Sequence, residues 1–177
     1  GQVNPHINKN SFTHKILHFD KELNLTKSVD IDLGKGDQKR KMQRTLLIDG
    51  KLFAFYSFLD AKGQTNTLYA RQVDNKSLKF IGEEKVIHTF RFPEIKSTNI
   101  GLSWKTAYNK VSPGRFIVSP IKDQSYISIL AMSPLNEIKT DKRSPDITKL
   151  ILNASLETVA ELKKGEDMGT TLAEYSS

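Results

Sequence analysis

Thr45-Leu-Leu-Ile48, Asp49-Gly50 and Lys51-Leu-Phe-Ala-Phe-Tyr-Ser-Phe-Leu59 are two apolar runs joined by an Asp-Gly pair. Type I′ turns need positive φ at both central positions, and Asp-Gly between β-rich runs is therefore a hairpin signal. In the second run Phe53 and Phe55 fall on one strand face, and Tyr56 and Phe58 on the other. Both faces are apolar, which predicts a central strand packed between layers.

Working outward, the same strand-turn-strand rhythm recurs. Towards the N-terminus, Lys15–Phe19 and Leu23–Leu33 flank Asp20-Lys-Glu, and Val29, Ile31 and Leu33 alternate with Ser28, Asp30 and Asp32. Towards the C-terminus, Asp60-Ala-Lys-Gly63 leads to a strand over 66–73. The turn Asp74–Ser77 is followed by apolar runs at 78–81 and 85–90. Strands are predicted again at 115–119, 126–132 and 147–152, with a turn at Pro120–Asp123. In 156–162, Leu156, Val159 and Leu162 are three apart, a helical spacing, but the hairpin pattern favours strand for the first half. Residues 1–13 read as a loose leader and 165–177 as a polar tail.

Three hairpins look like copies of one unit: Ile16–Leu25, Leu68–Leu78 and Leu150–Leu156. In each, an apolar strand ends in Asp20, Asp74 or Asn153, polar residues follow, and a leucine opens the next strand. An Asx side chain can bond the backbone two residues on and so start such a turn. Asp49-Gly-Lys-Leu-Phe-Ala also matches Pro113-Gly-Arg-Phe-Ile-Val. Four strands per unit of about 50 residues, with variable loops, is the pattern of propeller blades.

On Phe19-Asp20…Leu23, Val73-Asp74…Leu78, Leu152-Asn153…Leu156 and the Ser119-Pro120…Lys122-Asp123 turn, the chain resembles the degenerate β-propeller repeat proteins of bacterial envelopes. The expected fold class is all-β: antiparallel sheets from repeated hairpins, blade-like, in an incomplete ring, with a β-sandwich or open curved sheet as the alternative. A single domain over 14–164 would hold about two and a half repeats, divided at 90/91. Closed propellers typically need at least about four blades, so this chain is not expected to close by itself.

The 177 residues suffice for one domain with a sizeable core, and 37% hydrophobic with 27% charged residues suits half-exposed antiparallel strands. The absence of cysteine excludes disulfides and thiolate chemistry. No run approaches the roughly 18 apolar residues of a membrane helix, and no apolar signal region opens the chain. The net charge of +7 has one concentrated source, Lys35, Lys39, Arg40, Lys41 and Arg44, in a basic Gly-punctuated loop over 34–44. These five residues are the candidate contact for a polyanion. Nucleic acid is not expected, because no aromatic residues are interleaved for stacking.

No catalytic, metal or cofactor residue is assigned. His14 and His18 share a strand face, but lie about 13 Å apart, too far to share one metal. The serines lack a nucleophile elbow, and Gly34-Lys35-Gly36-Asp37 lacks the ending of a phosphate loop. Most carboxylates sit in turns. Asn24, Asn75 and Asn153 match the glycosylation pattern, yet turn composition accounts for them.

The expected function is a non-enzymatic, extracytoplasmic binding or scaffold module recognising a protein or glycan through inter-strand loops. The polar insertions at 34–44, 91–113 and 133–146 carry that expectation. A secreted or periplasmic location fits it, although a cysteine-free chain fits the cytoplasm equally. The alternatives are a carbohydrate-active hydrolase using loop carboxylates, or a polyanion binder through 35–44. Self-association through exposed blade edges is also expected.

Overall fold

A computed structural model describes residues 14–33, 40–60, 63–91, 114–121, 123–133 and 146–163. The leader, the polar tail and most of the two irregular stretches lie outside the described residues. Among the described residues there are ten strands: β1 (His14–Phe19), β2 (Leu25–Ile31), β3 (Arg40–Ile48), β4 (Lys51–Asp60), β5 (Thr65–Val73), β6 (Phe80–Arg91), β7 (Arg115–Ile121), β8 (Tyr126–Met132), β9 (Ile147–Leu152) and β10 (Thr158–Lys163). They form three antiparallel sheets: β1-β2, the meander β3-β4-β5-β6, and the meander β7-β8-β9-β10. Among the described residues none of the sheets closes on itself.

The sheets stack face to face, and strand alternation decides which side chain enters which interface. Phe53, Phe55, Leu68 and Ala70 leave the middle sheet on one face and pack against Val118, Ile127, Ile129 and Leu150 of the last. Ala54, Tyr56 and Val73 leave by the other face and meet Ile16, Ile31 and Leu33 beside β1-β2. The doubly apolar strand read from the sequence is therefore β4, central in its sheet and covered on both sides. Burying one such large side chain contributes about 1.5–3 kcal/mol, so β4 anchors the stack.

The repeated Asx turn is a structural repeat down to its hydrogen bonds. It joins β1 to β2, β5 to β6 and β9 to β10. The N–H groups of Leu23, Leu78 and Leu156 donate to the carbonyls of Asp20, Asp74 and Asn153, at 3.0, 2.8 and 3.0 Å. Each leucine is left-handed, with φ of 64°, 59° and 58°. The Asx side chains accept backbone N–H groups: Asp20 from Asn24 at 2.8 Å, Asp74 from Ser77 at 2.6 Å, Asn153 from Ser155 at 2.9 Å. The left-handed region costs a branched residue about 1–2 kcal/mol. At Leu78 and Leu156 that cost is offset because the side chain folds back, buried, onto the preceding sheet.

Successive sheets are also tied alike. Lys27 on β2 donates to the carbonyl of Lys76 in the next Asx turn. Lys85 on β6 donates to Ser155, in the Asx turn after that, at 3.4 Å. The first strands of the two meanders lie side by side, where Arg44 donates to the Val118 carbonyl at 3.0 Å.

Several expectations need correction. Arg40–Arg44 open strand β3 instead of ending a loop, because their partners on β4 include Phe58, Ser57, Tyr56 and Phe55. Residues 80–81 and 85–90 belong to one strand, β6, while Leu78 and Lys79 still lie in the turn before it; β6 absorbs Gly82 (φ 66°) through register shifts against β5. Pro120 pairs with Ile127 inside β7 and is not the turn; β7 is an edge strand, where a residue without N–H is tolerated. Residues 158–163 are strand, and Leu156 lies in the turn before it. The match between Asp49-Gly50 and Pro113-Gly114 fails in topology. Asp49-Gly50 joins the first two strands of its sheet, whereas Gly114 precedes the first strand of the next, and Pro113 lies outside the described residues. The counterpart of Asp49-Gly50 is the β7–β8 turn with Asp123 and Gln124, both at positive φ.

Candidate functional site

The antiparallel order alternates the connections between the two ends of the stack. The tight turns at 20–24, 49–50, 74–79, 123–125 and 153–157 gather at one end of the stack, where Asp49 N–H meets the Gln124 carbonyl at 3.2 Å. The three longest connections leave from the opposite end, as does the short β4–β5 connection between Asp60 and Thr65. The described bases of the long ones are Leu33 and Arg40, Arg91 and Gly114, and Ser133 and Asp146. The last base is pinched by two hydrogen bonds, Ser133 N–H to the Asp146 carbonyl at 2.8 Å and Asp146 N–H to Ser133 Oγ at 2.9 Å.

One polar constellation sits beside this end. Arg40, the first residue of β3, reaches across the face turned towards β1-β2. Its guanidinium lies 5.5 Å from the ring centre of Tyr56 and 5.0 Å from that of Tyr69. The two rings stack at 5.9 Å. Glu84 on β6 accepts from both Arg40 and the Tyr56 hydroxyl. Arg40 and Glu84 are 18% and 28% exposed, so the pair is shielded enough to count. Burial, reinforced by the hydrogen bond to Glu84 and its charge, pushes the Tyr56 phenol well above the ordinary tyrosine range. A phenol held protonated against a carboxylate already engaged is not a poised acid or base. The Arg40 Nε is buried with no hydrogen-bond partner among the described residues. The chemistry here is a clasp across all four strands of the sheet.

Of the five sequence-selected cations, Arg40, Lys41 and Arg44 are among the described residues. Lys35 and Lys39 lie outside the described residues. Arg40 is paired with Glu84, and Arg44 is committed to the Val118 carbonyl. Lys41, pointing to the opposite face from Arg40, is exposed.

Other groups have structural partners. His14 Nε2 lies 3.3 Å from the Arg40 carbonyl, and His18 Nδ1 lies 2.6 Å from the Thr26 hydroxyl. His88 packs edge-on to Phe90 at 4.9 Å, and burial lowers its pKa despite the nearby Glu161. Backbone N–H groups hold the carboxyls of Asp74 and Asp20 below the usual range, Ser77 and Asn24 being the main donors. The amides of Asn24, Asn75 and Asn153 donate to Asp20, the Gly50 carbonyl and Glu157. A groove of about 260 Å³ beside Phe53, Gln72, Lys85 and Ser155 lies by the Asx turn of the last sheet, and Lys85 is already tied to Ser155. Among the described residues no group of three metal-ligating side chains converges, and no helix is long and apolar enough to cross a membrane.

The sequence did not reveal the Arg40–Tyr56–Tyr69–Glu84 clasp. Alternation put Tyr56 on the right face, but only the strand register brings Tyr69 opposite it and Glu84 within reach.

Comparison with known proteins matches the chain to no family model, no curated relative and no solved structure.

Proposed function

We propose that this chain is a non-enzymatic binding or scaffold module, a propeller-like sector of stacked blades that takes a protein or glycan at one end. The observation supporting this most is the segregation of connections: five regular turns at one end, and all three long polar connections, beside one short turn, at the other. A rigid stack presenting variable loops on one side is the usual geometry of a binding scaffold. The propeller-like reading draws on the repeated Asx turn and on the two equivalent lysine-to-turn ties between successive sheets. On the same reading the module works outside the cytoplasm, among the glycans and surface proteins such a scaffold would meet.

The test compares two altered proteins on an array of neutral and anionic glycans and candidate surface proteins. In one, residues 134–145 are replaced by a Gly-Ser linker; in the other, Gly50 at the opposite end becomes Ala. Binding that survives Gly50→Ala and disappears with the linker is the expected result. Binding unaffected by the linker, or turnover of a bound glycan, would count against the proposal.

A further inference from the structure

The internal repeat makes it possible to ask what each sheet face should meet. Aligned on the Asx turn, Phe19 corresponds to Val73 and Leu152, and Leu23 to Leu78 and Leu156. In the middle and last sheets these positions point back onto the preceding sheet and are sealed: Val73 and Leu152 are both 1% exposed, Leu78 2% and Leu156 7%. In β1-β2 the same positions lie open, with Phe19 47% and Leu23 81% exposed. Leu17 and Leu25 are exposed beside them. Leu23 also carries the left-handed strain of its two counterparts without their burial in return.

The chain carries a complementary face. The middle sheet presents Phe55 and Leu68 to the last sheet, where both are buried. By strand register the corresponding residues of the last sheet are Leu130 and Ile147, on its outward face. Leu130 pairs there with Ile117, an exposed large hydrophobic residue. Among the described residues, one end of the stack thus lacks the sheet that its back-facing residues are shaped for. The other end offers part of the forward face that fills this role twice within the chain: Ile117 is exposed and Leu130 and Ile147 are half-buried, whereas Ile151 on the same face is already covered.

We infer that the open face of β1-β2 is an interface for a second copy of this chain, docked head to tail through the outward face of β7–β10. The contact repeats the two inter-sheet interfaces already present. It is heterologous, so copies add on in one direction and form a ring or an open stack according to the rotation between them.

Sedimentation of the full chain tests this with Leu23→Asp on one face and Ile117→Lys on the other. Both positions are exposed, and Asp tolerates the left-handed region. Circular dichroism establishes that each variant folds; Leu17→Lys and Leu130→Gln replace any that does not. The wild-type chain should associate with increasing concentration, and each variant should weaken association by at least about tenfold, the cost of spoiling one apolar anchor. An equimolar mixture of the two variants should recover a dimer, because each retains the face the other lacks. A wild-type chain monomeric up to its solubility limit overturns the inference. So does disruption by Leu23→Asp alone, which marks a symmetric contact. Insensitivity to both variants, or a mixture that stays monomeric, overturns it as well.

Discussion

Arg40 and Glu84 share one partner network, so the two ends of the pair should not be equivalent on mutation. Arg40→Ala removes the charge-assisted bond and both ring contacts, and leaves a partly buried carboxylate with, among the described residues, the Tyr56 hydroxyl as its hydrogen-bond donor. Loss of about 1–3 kcal/mol is expected from the urea midpoint. Arg40→Lys should recover little, because an ammonium cannot lie flat against two rings. His88 supplies a pH signature. Burial favours its neutral ring and depresses the folded pKa. The resulting stabilisation is complete above the ordinary value of 6.5 and is lost as pH falls through it towards the folded value. Thermal midpoints should therefore fall as the protein is acidified across that window. His88→Phe, which keeps the aromatic contacts with Phe90 and Phe116, should flatten the dependence.

At the scale of the element, the turns separate conformational cost from burial. Gly50 has φ of 71° and no atom within 4 Å of an added Cβ, so Gly50→Ala tests backbone strain without steric clash. It should cost about 1 kcal/mol. The Asx-turn leucines should split in sign. Leu78→Gly relieves a left-handed residue but removes a side chain only 2% exposed, and should lose about 2–4 kcal/mol. Leu23→Gly relieves the same strain with little burial to lose, and should gain about 0.5–1 kcal/mol in dilute protein. Chemical denaturation of the three variants decides the matter; equal destabilisation by both leucine changes would remove the distinction between a covered and an uncovered turn.

For the whole molecule, stability should grade with position in the stack. The middle sheet is covered on both faces, whereas β1-β2 has two strands and one covered face. Amide exchange should be slowest over 52–57 and 68–73 and fastest over 14–31, since local opening is cheapest where few apolar contacts must break. Uniform protection across the three sheets would show that they unfold as one unit. Protection over 14–31 should rise with protein concentration if a second copy covers that face.

Local chemistry carried the all-β class, the Asp49-Gly50 hairpin, the doubly buried β4 and the three Asx turns, because each is written within a few neighbouring residues. Period-two alternation and turn-forming side chains act over that range and need no tertiary information. The same locality explains the failures. A turn residue followed by Gly and a cation looks alike before a second strand and before a first, so Asp49-Gly50 and Pro113-Gly114 were paired wrongly. Arg40 and Arg44 looked like loop cations because nothing adjacent shows that β4 pairs with them. Register across strands and contact between sheets were decided only in three dimensions. They turned Arg40 into a clasp with Glu84, placed the long connections at one end, and left Phe19 and Leu23 open where their repeats are sealed. These features depend on residues tens of positions apart, and the energy that selects among such pairings is the burial of whole sheet faces, which no short stretch of sequence contains.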